Sequence, residues 1–169
     1  LSPLDISSFK KCEPGYPSMD TTNWKVYTEP NMKFSLKYPP SWIGKKSGGG
    51  SYFSPIENFK SASWINISTS YTTAKITENY LSSQLGGGIG TANSINRCQT
   101  ILGGYKTVRQ SAKISNSEDN TEKDVYITTY FANLNPGILG IYLYNYEGSS
   151  PSKYQQEFEQ ILSTFKFTN

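Results

Sequence analysis

Few arrangements of backbone accept the stretch KFSLKYPPSW at residues 33–42. Phe34, Leu36 and Tyr38 alternate with Lys33, Ser35 and Lys37, the period of a strand with one face in a core. Pro39 and Pro40 have no N–H to give to a ladder, so the strand must stop there. Their fixed backbone redirects the chain so that Trp42 can fold back onto what precedes it. Just upstream, WKVYT alternates over residues 24–28 and EPNM supplies turn chemistry, which makes the whole a hairpin with one core face.

The regular pattern continues with a Gly-rich loop, GGGSYFSP, feeding a short strand near Ser51 to Ser54. In SWINISTSY, Ile65, Ile67, Thr69 and Tyr71 then share a face. A helix follows: Thr77 is placed as N-cap, with Ile76 and Leu81 spaced as a hydrophobic staple, and LGGG at 85–88 ends it. After a polar loop containing Cys98, TILGGYKTVRQSAKI reads as a strand, a Gly-Gly turn and a longer strand aligning Val108, Gln110, Ala112 and Ile114. SNSEDNTEK is a polar hairpin loop. DVYITTYFA and ILGIYLYNY, joined by the NLNPG turn, are apolar or aromatic on both faces, as strands at the centre of a covered sheet are.

The last element is the most regular. In SSPSKYQQEFEQILSTFKF, Tyr154, Phe158, Ile161, Leu162 and Phe165 fall on one side of a helix, with Gln and Glu between them. Its start is marked twice, by Ser150 with Pro151 or by Ser152 with Gln155. Strands, helix, strands, helix, with short connections between the later strands, predict an α+β fold. The expected architecture is a mainly antiparallel sheet of about six or seven strands packed by helices on both faces, an α/β/α sandwich.

A chain of 169 residues with 36% apolar content suits one core. Residues 1–22 mix Pro, Ser and charge without a period and read as a leader or linker over the surface of a domain at 23–169. No apolar run approaches the roughly 18 residues of a membrane helix. The start, Leu1-Ser-Pro-Leu, reads as that of a processed or trimmed chain. The net charge of +3 is scattered and forms no basic stripe, so nucleic acid is not an expected partner. There is no histidine, which removes the usual general base near neutral pH and the commonest zinc ligand. Cys12 and Cys98 stand too far apart for CxxC chemistry and are either a disulfide or two buried thiols.

The block WKVYTEPNMKFSLKYPPSW, followed much later by YQQEFEQILSTFKF, resembles the opening and closing signatures of PsbP-like domains, the Mog1/PsbP superfamily, in bacterial secreted or lipid-anchored proteins. The resemblance spans Trp24 to Phe167 and implies an antiparallel sheet sandwiched by helices. Members include extrinsic photosystem subunits, a small-GTPase binder and many surface proteins, so the resemblance implies binding more than catalysis. Without histidine, the metal sites of metal-binding members do not carry over, and no cofactor is expected. The likeness to secreted domains also implies an oxidising setting, in which Cys12 and Cys98 would pair and fasten the leader across the loop after the first helix. The alternative is one thiol exposed in the leader and one tucked into that loop.

Candidate sites are few. Tyr142, Tyr144 and Tyr146, joined by Tyr126 and Tyr130 from the neighbouring strand, could form an aromatic platform for sugars or peptides, although burial beneath a helix is favoured. Glu118-Asp119 and Glu157-Glu159 read as solvated surface. LGGGIGTAN lacks the Gly-Lys-Ser/Thr ending of a phosphate loop, and SGGGS at 47–51 reads as a spacer, whether hairpin loop or linker. The expected function is that of a monomeric, non-catalytic, extracytoplasmic accessory domain with no catalytic or metal residues, binding a protein or cell-envelope partner. The alternative is a glycan-directed enzyme or carbohydrate-binding module using Tyr and carboxylate side chains.

Overall fold

The structure, a computed structural model, describes residues 2–15, 17–47, 49–55, 65–85, 91–115, 125–134, 137–145 and 155–168. Two antiparallel sheets share a core, one of three strands and one of seven.

The small sheet is built on the hairpin of β1 (Lys25–Glu29) and β2 (Phe34–Tyr38). β2 buries Phe34, Leu36 and Tyr38 as its alternation predicts. The chain then turns sharply, with Trp42 N–H donating to Pro39 O at 3.0 Å and Pro40 at the second position of the turn, which favours proline. The result is a Trp42 side chain only 1% exposed. The third strand, β10 (Lys166–Phe167), pairs with β2 through Lys166↔Ser35 and Phe167↔Phe34. Two residues carry no period, and the helical stripe that ends at Phe165 gives no sign of a strand just beyond it.

The large sheet has the order β3-β4-β5-β9-β8-β7-β6. β3 (Ile43–Ser47) and β4 (Gly50–Ser54) form an edge hairpin in which Ser47 pairs with Gly50, so Ser47, Gly50 and Ser51 of SGGGS belong to strands. Gly44 and the lysine pair 45–46 hid β3 from a search for apolar alternation. Next come β5 (Ile65–Thr72), β6 (Thr91–Leu102), β7 (Tyr105–Ser115), β8 (Val125–Asn133) and β9 (Ile138–Asn145). β9 is the central strand and β8 its neighbour, in keeping with their two apolar faces. β6 and β7 turn at Gly103-Gly104 as expected. Cys98, however, lies inside β6 and not in a loop. The register shift between Asn93 and Asn96 breaks the strand's alternation, and its polar content masks the rest.

One face of the large sheet packs Tyr130, Ile141 and Leu143 against the small sheet and α2 (Gln155–Ser163), whose Phe158, Ile161 and Leu162 are buried, as is Phe165 just beyond it. On the other face Val108, Phe131 and Ile138 meet Ile76, just before the cap of α1 (Glu78–Ser83), and Leu81 within it. Thr77 caps α1, its Oγ1 accepting from Tyr80 N–H at 3.1 Å. The expected cover of helices on both faces is met only in part, because the small sheet shares one side and α1 has six residues. The expected cap residues Ser150, Pro151 and Ser152 lie outside the described residues, as do Tyr154 and the SNSEDNTEK stretch after Ser115.

The leader wraps the sheet like a strap. Its single 3₁₀ turn, Ile6–Ser8, inserts Ile6 beside Ile76 and Leu81 on the α1 face. At the β6 edge Gln99 N–H donates to Lys10 O at 2.8 Å and Cys12 N–H to Gln99 O at 2.9 Å, a single parallel bridge. Beyond the edge it crosses α2, where Met19 N–H donates to Gln160 Oε1 at 3.0 Å and Gln160 Nε2 donates to Pro17 O at 3.2 Å.

Candidate functional site

Cys12 and Cys98 are joined in a disulfide with a Cα–Cα distance of 4.9 Å. It sits where the strap rounds the sheet edge, one residue from the bridge at Gln99. The cross-link therefore fastens the leader to strand β6 instead of to a loop after α1.

The five tyrosines do not make one platform. Tyr130 pairs with Ile141, and paired residues share a face, so Tyr130 points toward α2 while Tyr142, opposite Thr129, points toward α1. Tyr130 is buried at 4% exposure. Tyr142 lies 5.8 Å from the Phe131 ring and donates its hydroxyl to Gln84 Oε1 at 2.7 Å. Tyr126 is half-buried and lies on the Tyr130 side of β8, opposite Lys113 and Asn145. Tyr144 is placed by its backbone in β9, its side chain lying outside the described residues together with all of Tyr146.

Three polar clusters organise the interior. In the first, Glu29 is fully buried and accepts from Asn31 N–H at 3.1 Å, Lys46 Nζ at 3.2 Å and Tyr27 OH at 3.1 Å. Ser51 Oγ donates to Tyr27 OH at 2.9 Å. Burial opposes ionisation of Glu29, but the Asn31 N–H, Lys46 and Tyr27 together overcome it and hold the carboxyl below its ordinary range. Burial is also the main cause of the raised pKa of Tyr27, which stays a phenol.

In the second, Tyr130 lies beneath the guanidinium of Arg109, whose Cζ is 5.9 Å from the ring centroid. Arg109 Nη2 lies 3.7 Å from Glu159 Oε1. The Tyr130 hydroxyl and Arg109 Nε complete no hydrogen bond among the described residues. Burial first, and Glu159 second, push the Tyr130 phenol well above its ordinary value despite the nearby arginine. In the third, Arg97 donates through Nε to Gln110 Oε1 at 2.7 Å and through Nη1 to Glu78 of α1, while Gln110 Nε2 donates to Leu81 O at 2.8 Å.

Two expectations about acids change accordingly. Glu157 accepts the Trp42 indole N–H at 3.2 Å, and Glu159 faces Arg109, so the pair is engaged with the fold instead of lying on a solvated face. Glu118 and Asp119 lie outside the described residues, as do residues 86–90 of LGGGIGTAN. A pocket of about 410 Å³ opens where the start of the leader, the β5–α1 connection and the β8–β9 turn meet.

No protein-family model and no curated protein sequence matches the chain. Solved structures do. The cyanobacterial PsbP (CyanoP) of Synechocystis is 16% identical, with a TM-score of 0.55 over 85% of this chain and 92% of its own. LpqN of Mycobacterium tuberculosis, described as involved in cell envelope biogenesis, is 12% identical, with a TM-score of 0.51 over 86% of each chain. A Bacteroides thetaiotaomicron protein, also 12% identical, gives a TM-score of 0.56 over 86% of this chain and 49% of its own. The chain has the PsbP-like fold.

Within this PsbP-like fold the polar clusters were mostly invisible in the sequence. Gln110 was the one signal, a polar residue aligned with Val108, Ala112 and Ile114 that had to find partners when buried. Glu29 closed a strand whose inward positions could not be told from its outward ones, since Val26 turns out to be 65% exposed. Among the described residues, no group of three His, Cys, Asp or Glu side chains is gathered in one place, and no helix is long and apolar enough to cross a membrane.

Proposed function

We propose that this PsbP-like domain is a monomeric, non-catalytic accessory domain that works outside the cytoplasm and presents its loops to a protein or cell-envelope partner. The observation behind the reading is the use made of charge. Glu29, Arg97 and Arg109 each reach between two elements of the fold, and side chains held this way are poorly placed to exchange protons with a substrate. Among the exposed apolar side chains, Ile101, 63% exposed, and Tyr105, 41% exposed, lie at a hairpin end beside Gly103-Gly104, on opposite faces of the sheet. The Cys12–Cys98 disulfide favours an oxidising compartment, and the envelope role described for LpqN, which shares the fold, agrees with it.

Photo-crosslinking groups at positions 101 and 105, applied to the envelope fraction of the source cells, test this. The expected result is a discrete adduct from both positions, competed by excess wild-type domain and not by a domain carrying Ile101→Lys and Tyr105→Lys. Release of product from envelope glycans by the purified chain, or its retention on immobilised glycans, would replace this reading with the glycan-directed alternative.

A further inference from the structure

The pocket at the leader end of the sheet is assembled from three separated pieces of chain. Pro3 and Leu4 of the leader form one wall, Ile76 the second and Leu134 the third. Leu4 N–H donates to Ile76 O at 2.9 Å, which joins the first two walls by a backbone bond. Thr73, Lys75 and Asn133 supply the polar positions of the lining. Its size falls within the range of small-molecule sites, and its composition, apolar walls with a few polar groups, is that of such sites. Among the described residues of the lining, Lys75 is the only charged side chain and there is no carboxylate. Lys75 is exposed and makes no ion pair among the described residues.

We infer that this pocket binds a compact apolar group bearing one carboxylate, with the apolar part against Leu4, Ile76 and Leu134 and the carboxylate at Lys75. A short free carboxylic acid and the C-terminus of a peptide ending in an aliphatic residue both have this chemistry. Because Leu4 belongs to the leader, the site exists only while the strap is docked, and a bound ligand favours the docked state by linkage. The inference concerns a different surface from the Ile101–Tyr105 hairpin end and is tested on the purified chain, so either can fail alone.

The test is titration of the isotope-labelled chain with hexanoate, hexanamide, and a tetrapeptide ending in leucine with a free or an amidated C-terminus. The readout is the backbone amide shifts of Leu4, Lys75, Ile76 and Leu134. At least one free-acid probe is expected to saturate these shifts below about 10 mM, at roughly tenfold higher affinity than its amide. Which acid binds identifies the source, free acid or peptide end. Lys75→Gln, a change at an exposed position, is expected to equalise acid and amide. Leu4→Ala is expected to weaken both and leave their ratio unchanged. Absence of saturable shifts at these residues for every probe would overturn the site, and equal binding of acid and amide to the wild-type chain would overturn its ligand class.

Discussion

Trp42 and Phe158 meet edge to face, with ring centroids 5.5 Å apart and planes at 84°, and the Trp42 indole N–H donates to Glu157 on the same helix. The residue returned by the proline turn is thus the one that seats α2. Truncating Phe158, 1% exposed, to Ala removes the ring and leaves a cavity under Trp42, and should cost roughly 3 to 5 kcal/mol in chemical denaturation. A loss below about 1 kcal/mol would mean that α2 contributes little to the core.

Trp42 should also be shielded from solvent. In a variant with Trp24 and Trp64 replaced by Phe, its emission should be quenched weakly by iodide in the native state and strongly in urea. Equal quenching in the two states would contradict the burial of the indole.

Thiol titration of the denatured, unreduced chain should find no free thiol. Cys12 and Cys98 are separated by 86 positions, and a loop of that size stabilises by about 4 to 5 kcal/mol in the chain-entropy relation. Replacing both with Ser should lower the unfolding free energy by that amount at most. The value should fall short of it to the extent that the denatured chain keeps residual structure that already holds the two positions close when unlinked.

The Glu29 cluster should leave its mark on the acid limb of stability. Its carboxyl is held below its ordinary range in the folded chain, so its contribution is complete above the unfolded value near about pH 4.3 and is lost as pH falls through the folded value. Glu29→Gln should therefore lie below wild type at neutral pH and converge on it in acid. Urea midpoints for both proteins from about pH 7 to about pH 3 measure this, and a gap that does not narrow would show that the charge of Glu29 is not what holds the cluster.

Gly103 and Gly104 offer a paired test of the β6–β7 turn. Both have positive φ, 55° and 90°, but a Cβ on Gly103 would lie 2.8 Å from the Phe167 ring while one on Gly104 would meet nothing within 4 Å. Gly104→Ala should cost about 1 kcal/mol for backbone strain alone, and Gly103→Ala clearly more, because Phe167 must also shift. Equal losses would mean that the Phe167 ring yields freely.

What the sequence disclosed depended on the length of each pattern. β8, β9, the stripe of α2 and the staple of α1 repeat their period over enough residues to be read directly. β10 and β3 do not, the first because it has two residues and the second because glycine and lysines occupy it. The tyrosines failed for another reason. Each strand was read correctly as apolar on both faces, but which face of β8 joins which face of β9 is set by register, and Tyr130↔Ile141 follows from the turn between them, not from either strand. Polar clusters such as Glu29 with Lys46 and Ser51 join residues from different strands, so no local spacing announces them.

The pairing of β2 with β10 ties Phe34 to Phe167, so the small sheet has a middle strand that precedes the large sheet in the chain and an edge strand that follows it. The hairpins β6–β7 and β8–β9 close over short separations and can form while the chain is still emerging. Phe34 and Leu36 cannot be covered until α2 and β10 follow them. The hairpin of β1 and β2 therefore waits, with its apolar face bare, until the large sheet and α2 have followed it, and in this interval the nascent protein needs shelter from its neighbours.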